Sequence, residues 1–493
     1  MPIVLRRATC LVFLAALALA STACRNEPKG TARVLVIGGQ PKLADPAQGP
    51  LSTSDAVLVQ NAAQGLVRFD SAGNIVPGLA ERWNVSDDGL SYIFRIAATE
   101  WPGGGRITAQ QVARILKRAI APVSENSLKD TLGAVEDIVA MTDRVIEIRL
   151  RAPRPNLLSL LAQPELGIMR SGHGTGPFSY SPTAGEGGEL RLAREITIGG
   201  EEESTVREEV LLAGSNVEQA VKAFTEGRAD LVLGGTFANL PVAQKAKLRR
   251  NSLRFDPAMG LFGLVPARSG GAFDDPEVRR MLSQAVDREA LIAALRVPGL
   301  APRATILEPG LDGVLVIVSP AWMATPIEER RAALAAEATR LLGGEKPAVR
   351  LFVSSGPGGD ILFDRLAADW GFLGLTVERA RNAAGSDFRL LDSVAPSTSP
   401  AWFLRQFRCG SVPVCDAEAN ELMEAARSTS IPAQRSALLL QAAARLDEAQ
   451  LFIPLTAPIR WSLVSPRIEG FVGNRYARHT LTELQQRSSR GGL

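Results

Sequence analysis

Two histidines, four cysteines and one glycine-rich stretch are the groups in this 493-residue chain whose types could do chemistry. Nucleophilic catalysis needs a base held beside the nucleophile, and only His173 and His479 could supply an imidazole. His173 sits in the glycine-rich SGHGTGPF turn (171–178) and reads as a loop residue, while His479 falls in the polar C-terminal tail and reads as surface. No G-x-S-x-G elbow is present. SSGPGGDIL (354–362) looks like a phosphate-cradling loop ahead of a helix, but it lacks the Gly-Lys-Ser/Thr ending and reads as a strand-to-helix turn. Carboxylates are plentiful, yet no pattern places two at hydrolase separation, and GEEEST (200–205) reads as a solvated loop. With no CxxC pair and no ligand-like histidine spacing, a zinc site of the usual kinds is not expected. The expectation is no catalytic residue, no metal and no cofactor.

What must position these groups is a folded globular chain of 46% hydrophobic and 22% charged residues, long enough for about three domains at ~150 residues each. The formal charge is +3 and the basic residues are scattered. They build no stripe of the kind dense phosphate contacts need, so no nucleic-acid partner is expected.

Arg6 and Arg7 precede an apolar stretch, Ala8 to Ala20, too short to cross a hydrocarbon core of ~30 Å as a helix. Small residues Ser21-Thr22-Ala23 then lead to Cys24, the layout of a secretory signal. The Ala-Cys junction resembles a bacterial lipoprotein signal: residues 1–23 would be removed, Cys24 lipidated, and 24–30 would form a short tether. Ser21 stands where that signal usually has Leu, and a plain secretory leader is the alternative. No later stretch is apolar enough to span, so the expectation is a protein anchored to a membrane without crossing it. Export places Cys409 and Cys415 in an oxidising compartment, where a disulfide pinning the loop between them is expected.

Along the mature chain, strand and helix patterns alternate. Ala32 to Ile37 is a β-branched run stopped by Gly38-Gly39, and Trp83 to Ile96 alternates about Asp87-Asp88-Gly89 as a hairpin. Thr108 with Gln111 forms a capping box for an amphipathic helix to Ala121. Helices are also expected over Asp55–Val67, 216–226, 275–295 (one long helix with Pro276 in its first turn), 326–342, 361–373, 417–428 and 432–449. Strands are expected over 145–150, 189–193, 231–233, 349–353 and 375–379, and Gly491-Gly492 ends a polar tail expected to fray. The class is α/β with at least two sheet-centred lobes.

Several stretches, taken in order, resemble the bacterial extracytoplasmic solute-binding proteins of family 5, the peptide/nickel/opine receptors of ABC importers. They are GLVRFDSAGNIVPGLAERWNVSDDGLSYIFRI (65–96), WPGGGRITAQQVARIL (101–116), GTGPF (174–178), EGRADLV (226–232), FDDPEVRRMLSQAVDREALI (273–292), LFIPL (451–455) and SPRIEGF (465–471). The resemblance implies a two-lobed periplasmic-binding-protein fold (class II-like) with an extra inserted small domain. It divides the chain into a first lobe of 31–50, 172–257 and 459–493, an inserted domain of 51–171, and a second lobe of 258–458, crossed near Asp256 and Pro458. It implies a monomeric, lipid-anchored periplasmic receptor that binds a small solute or short peptide between its lobes and passes it to a permease and its ATPase. The matching motifs read as scaffold. Segments near the implied cleft contribute Phe262, Trp402 and Trp461 as candidate ligand contacts.

Where peptide receptors usually carry Trp-x-x-Asp to hold the ligand's amino group, SDFRLLDSVAPSTSPAWFLRQF (386–407) lacks it, and Val265 stands where the family often has Asn. A less polar pocket is therefore expected. Asp392 is the remaining candidate for anchoring a cationic group, the alternative being a bond within its own loop. Rival readings are an exported lipoprotein hydrolase acting on envelope material and a ligand sensor that does not transport.

Overall fold

Alternating apolar runs assemble into three main sheets in this computed structural model, which describes residues 31–181, 188–198, 204–345 and 347–486. The leader, Cys24 and its tether, most of GEEEST and the Gly491-Gly492 tail lie outside the described residues. The largest sheet has seven strands in the order Ser179–Ser181, Leu190–Ile198, Ser204–Ser215, Ala32–Ile37, Leu231–Thr236, Arg460–Val464 and Leu253–Phe255. Its strand Ala32–Ile37 runs parallel to both neighbours. Val34 and Val36 are buried there, because helices cover a parallel strand on its faces.

A second sheet of five strands is ordered Thr376–Arg379, Ala348–Phe352, Phe388–Val394, Gly260–Pro266 and Ile453–Thr456. Pro454 is on an edge strand, where its missing N–H costs no ladder bond. The chain passes from the first sheet to the second through 256–259 and returns through 457–459. The third sheet, of four antiparallel strands, comes from the segment between the first and second strands of the large sheet's chain order. Its hairpin Ala80–Val85 and Ser91–Ile96 turns at Asp88-Gly89. Against it packs helix Ala109–Ile120, whose capping box is complete and which buries Val112, Ala113 and Leu116 at helical spacing.

The expected single helix over 275–295 is two helices, Pro276–Ala285 and Arg288–Leu295. Val286 is extended between them, and the Asp287 carboxylate accepts from Ala290 N to start the second. A short acidic side chain competes for backbone N–H groups and favours a cap over a helix interior. Arg288 secures the break: its guanidinium, 3% exposed, donates to the Ser283, Arg303 and Pro454 carbonyls and to Ser283 Oγ. Burial, with the nearby Arg330 charge, lowers its pKa to about 9, so it stays cationic at neutral pH. The expected helix over 55–67 ends at Ala62, since Val67 belongs to a short strand pairing with Ile75–Pro77.

Residues 354–356 are a turn into helix Pro357–Gly371, and Gly358 N donates to Ala238 O at 2.8 Å. A Cβ on Gly358 would meet Phe237 O at 1.9 Å, so this glycine run serves close backbone packing against the other sheet's connection. At the end of that helix Trp370 is fully buried, with Nε1 donating to Leu282 O at 3.0 Å. Trp370→Ala is expected to lower the unfolding free energy by about 3–5 kcal/mol through the cavity it leaves. Trp370→Phe strands the Leu282 carbonyl and costs about 1–3 kcal/mol. Urea denaturation of the three proteins checks the order, and an alanine loss below about 1 kcal/mol would contradict it.

Candidate functional site

Between the sheets lies a cavity of about 620 Å³. Its walls come from three parts of the chain: strand ends Leu233–Thr236 and Arg460–Ser462, the stretch Asp392–Pro396 with Arg389, and residues 127–130 and 163–165 of the four-stranded part. Trp402, Arg405, Arg408 and Ser411 close one side. The loop carrying Ser411 is tied by the Cys409–Cys415 disulfide, with Cα atoms 5.2 Å apart, and Arg408 Nε donates to Ser411 Oγ at 2.8 Å.

Gly235 shapes the floor. A Cβ there would fall 2.1 Å from Trp461 Cδ2, so only glycine lets the indole lie flat on this strand. Trp461 is 1% exposed and donates from Nε1 to Thr236 O at 2.9 Å and Asn239 Oδ1 at 3.0 Å. Trp402 is also nearly buried, edge-on to Phe403 at 5.1 Å, and both tryptophans border the cavity. Phe262 stands behind the wall: it packs edge-on against Phe237 at 4.8 Å within a core that continues from one sheet into the other.

Asp392 borders the cavity, but its carboxylate already has a cation. Arg460 Nη1 donates to Oδ1 at 2.8 Å and Oδ2 at 3.0 Å. Burial pushes the Asp392 carboxyl above its ordinary range, and Arg460 pulls against that shift. The pair joins the five-stranded sheet to the seven-stranded one. The other acids of the cavity are likewise engaged: Asp130 with Arg408 at 3.0 Å, Glu165 with Arg478 at 2.8 Å, and Asp256 with His479 at 3.2 Å.

His479, expected at the surface, is 8% exposed. Its Nε2 faces Asp256 and its ring packs on Phe471 at 4.7 Å. Asp256 Oδ1 also accepts from Asn474 N, so the C-terminal segment is folded onto the crossing at 256. Periodicity could not reveal this, because irregular segments are fixed by such polar bonds. His173 lies away from the cavity on an exposed two-residue strand beside Gly103.

Two arginines escape the sequence reading, which weighs only acids in this segment. The guanidinium of Arg389, a residue half-buried on its strand, has no hydrogen-bond or ion-pair partner among the described residues, and burial lowers its pKa. Arg405 donates to Thr131 Oγ1, and burial brings its pKa down to about 10, with Asp130 opposing and Arg408 reinforcing that shift. The legible signal was an arginine inside the apolar strand FRLL, since a cation interrupting such a run needs a reason. Buried on the same cavity's wall, Gln60 Nε2 and Glu165 Oε2 also lack partners among the described residues. Such orphaned atoms are rare in native interiors. No described cluster of three metal-type side chains occurs, and no described helix is long and apolar enough to cross a membrane.

A family profile, bacterial extracellular solute-binding proteins, family 5 Middle, matches residues 74–384. The probable di/tripeptide-binding protein 5 of Pseudomonas aeruginosa is 23% identical over 477 residues, covering 85% of this chain and 89% of that protein. Among solved structures, Haemophilus influenzae OppA in complex with RPPGFSPFR superposes with a TM-score of 0.78 at 16% identity, covering 93% of this chain and 100% of the other. The Escherichia coli murein tripeptide binding protein MppA gives 0.76 at 17% identity, over 92% and 98% of the two chains. The shared fold is the mixed α/β, two-lobed one, and these relatives are named as binding proteins.

The paired carboxylate at the junction of the sheets sets an expectation for stability. Asp392→Asn should cost about 3–5 kcal/mol, because it leaves Arg460 buried without its counter-charge. The double change Asp392→Leu with Arg460→Met should recover most of that loss. Denaturant titration without ligand measures both, and a single variant as stable as the parent would contradict the assignment.

Proposed function

This chain belongs to the bacterial extracellular solute-binding proteins, family 5, and from that membership we propose that it is the receptor of an ABC importer. It captures a short peptide or peptide-like solute between its two lobes and delivers it to a membrane permease whose ATPase supplies the energy. The lobes are 31–50 with 172–257 and 459–493, and 258–458, with 51–171 inserted as a smaller domain. Sheet membership supports that division in the main, since strands Ala32–Ile37, Ser179–Ser181, Leu190–Ile198, Ser204–Ser215, Leu231–Thr236, Leu253–Phe255 and Arg460–Val464 share one sheet. Lipidated Cys24 holds the protein at the membrane of the periplasm, and the receptor works as a monomer.

The carrying observation is the cavity itself: three parts of the chain wall it, with two near-buried tryptophans for apolar contact and a half-buried arginine whose guanidinium has no partner among the described residues. Polar groups few in number and fixed in place are what orient a small ligand in such a site. Because Asp130, Glu165 and Asp392 pair with arginines and Asp256 faces the His479 ring, each described acid of the cavity already has a protein partner, with one Glu165 oxygen left unbonded, and a ligand's ammonium group would find few open acceptors there. Arg389 instead suits a ligand carboxylate, which a guanidinium binds by a planar fork. The crossings at 256–259 and 457–459 are where the lobes would rotate to shut water out.

Native mass spectrometry of protein purified gently from its own host should show a small-solute adduct that is lost on denaturation. Titrating the stripped protein with di- and tripeptides should give saturable binding. Arg389→Gln should weaken that binding at least about tenfold, the scale of one lost charge-assisted bond, with an unchanged melting temperature. A bare mass together with no binding across the peptide set would overturn the reading.

A further inference from the structure

A second cavity of about 550 Å³ opens beside the first and shares Asp130, Trp402, Arg405 and Arg408 with it. It lies between the part of the chain bearing the four-stranded sheet and the helices that follow the five-stranded one, and its walls include Ile120, Leu160, Met423 and Leu439. What distinguishes it is charge. Lys129, Arg154, Arg405, Arg408, Arg427 and Arg435 line it against only Asp130 and Glu424, a formal charge of +4.

Both acids are spoken for at the rim, Asp130 by Arg408 and Glu424 by Arg427, in exposed pairs. Four cations are left without a carboxylate in hydrogen-bond or ion-pair contact among the described residues. Lys129 donates to the Pro122 and Ser124 carbonyls, Arg154 to those of Pro153 and Arg427, Arg435 to that of Pro153, and Arg405 to Thr131 Oγ1. Arg154 is displaced furthest toward neutrality of the two facing arginines: burial, then Arg435 and Arg427, bring its pKa down to about 10. Asp312 offsets part of the burial effect on Arg435. Like charges held together in a low-dielectric recess repel, and an anion entering it would relieve desolvation and repulsion together.

We propose that this chamber is an extension of the binding cleft that takes the anionic end of an elongated ligand, such as a peptide ending in acidic residues, its apolar portion against Leu160 and Met423. The proposal rests on the peptide reading of the main cavity. Carbonyl bonds already fix the forks of Arg154 and Arg435, so little side-chain entropy is lost on binding. The preference should weaken with salt, because the rim is open to solvent.

The test compares hexapeptides identical except for a C-terminal Glu-Glu, Ala-Ala or Lys-Lys pair, titrated calorimetrically into the stripped full-length protein. The Glu-Glu peptide should bind at least about tenfold tighter than the Ala-Ala peptide, a difference of ~1.4 kcal/mol. Arg154→Gln with Arg435→Gln should erase that advantage and leave the Ala-Ala affinity unchanged. If the double variant folds poorly, Lys129→Gln carries the same prediction with a smaller loss. Equal affinities for the acidic and neutral ends, or an advantage that survives the substitutions, would overturn the proposal. If no peptide binds, the reading of the main cavity fails and citrate decides the chamber. A melting-temperature rise with citrate that the double variant lacks supports the chamber, and no rise overturns it.

Discussion

Two short crossings, a continuous apolar core and one buried ion pair fix the five-stranded sheet against the seven-stranded one beside the cavity. The crossings at 256–259 and 457–459 carry the backbone, and Arg460 reaches from one sheet to Asp392 on the other. A pair desolvated this far contributes little net stability, but losing one partner is costly. It therefore acts as a positional constraint: the sheets keep the separation at which Arg460 and Asp392 meet. Trp461, next in sequence to Arg460, is set by the same strand and lies on Gly235.

The same bookkeeping of charge explains the character of the cavity. Among the described residues, Asp130, Glu165 and Asp392 each pair with an arginine and Asp256 faces the His479 ring, while Arg389 and Arg405 have no carboxylate partner. A site that has spent its carboxylates internally discriminates against ammonium groups and favours carboxylates, because an unpaired buried charge is the strongest penalty available to it. In the proposed complex the tryptophans would supply contact area of low specificity, and the guanidinium would supply direction.

Much of the scaffold was legible from pattern alone. The Thr108–Gln111 capping box, the Asp-Gly hairpin turn and the β-branched run at 32–37 each carry a local physical cause, and each forms where its cause predicts. The division of 275–295 into two helices hinged on Asp287 choosing a capping role, which helical periodicity hides. The family was legible from ordered motifs that mostly hold the fold together. The site was less so. Asp392 was visible as an acid, but its partner lies 68 residues away on another sheet. His479 was read by the polarity of its neighbours, and Phe262 by its proximity to the cleft along the chain. Arg389 stands in plain view within FRLL, but an arginine in a strand carries no local mark of its role until the sheets bring it to the cavity.

The central claim is that a solute sits between the two sheets, touched by both lobes. A crystal structure of the protein purified from its own host without stripping tests this most directly. The account predicts density for a solute enclosed between Trp402 and Trp461, with an anionic group of that solute at Arg389. A solute ordered elsewhere on the protein, or a cavity of the same shape holding only water, would contradict it.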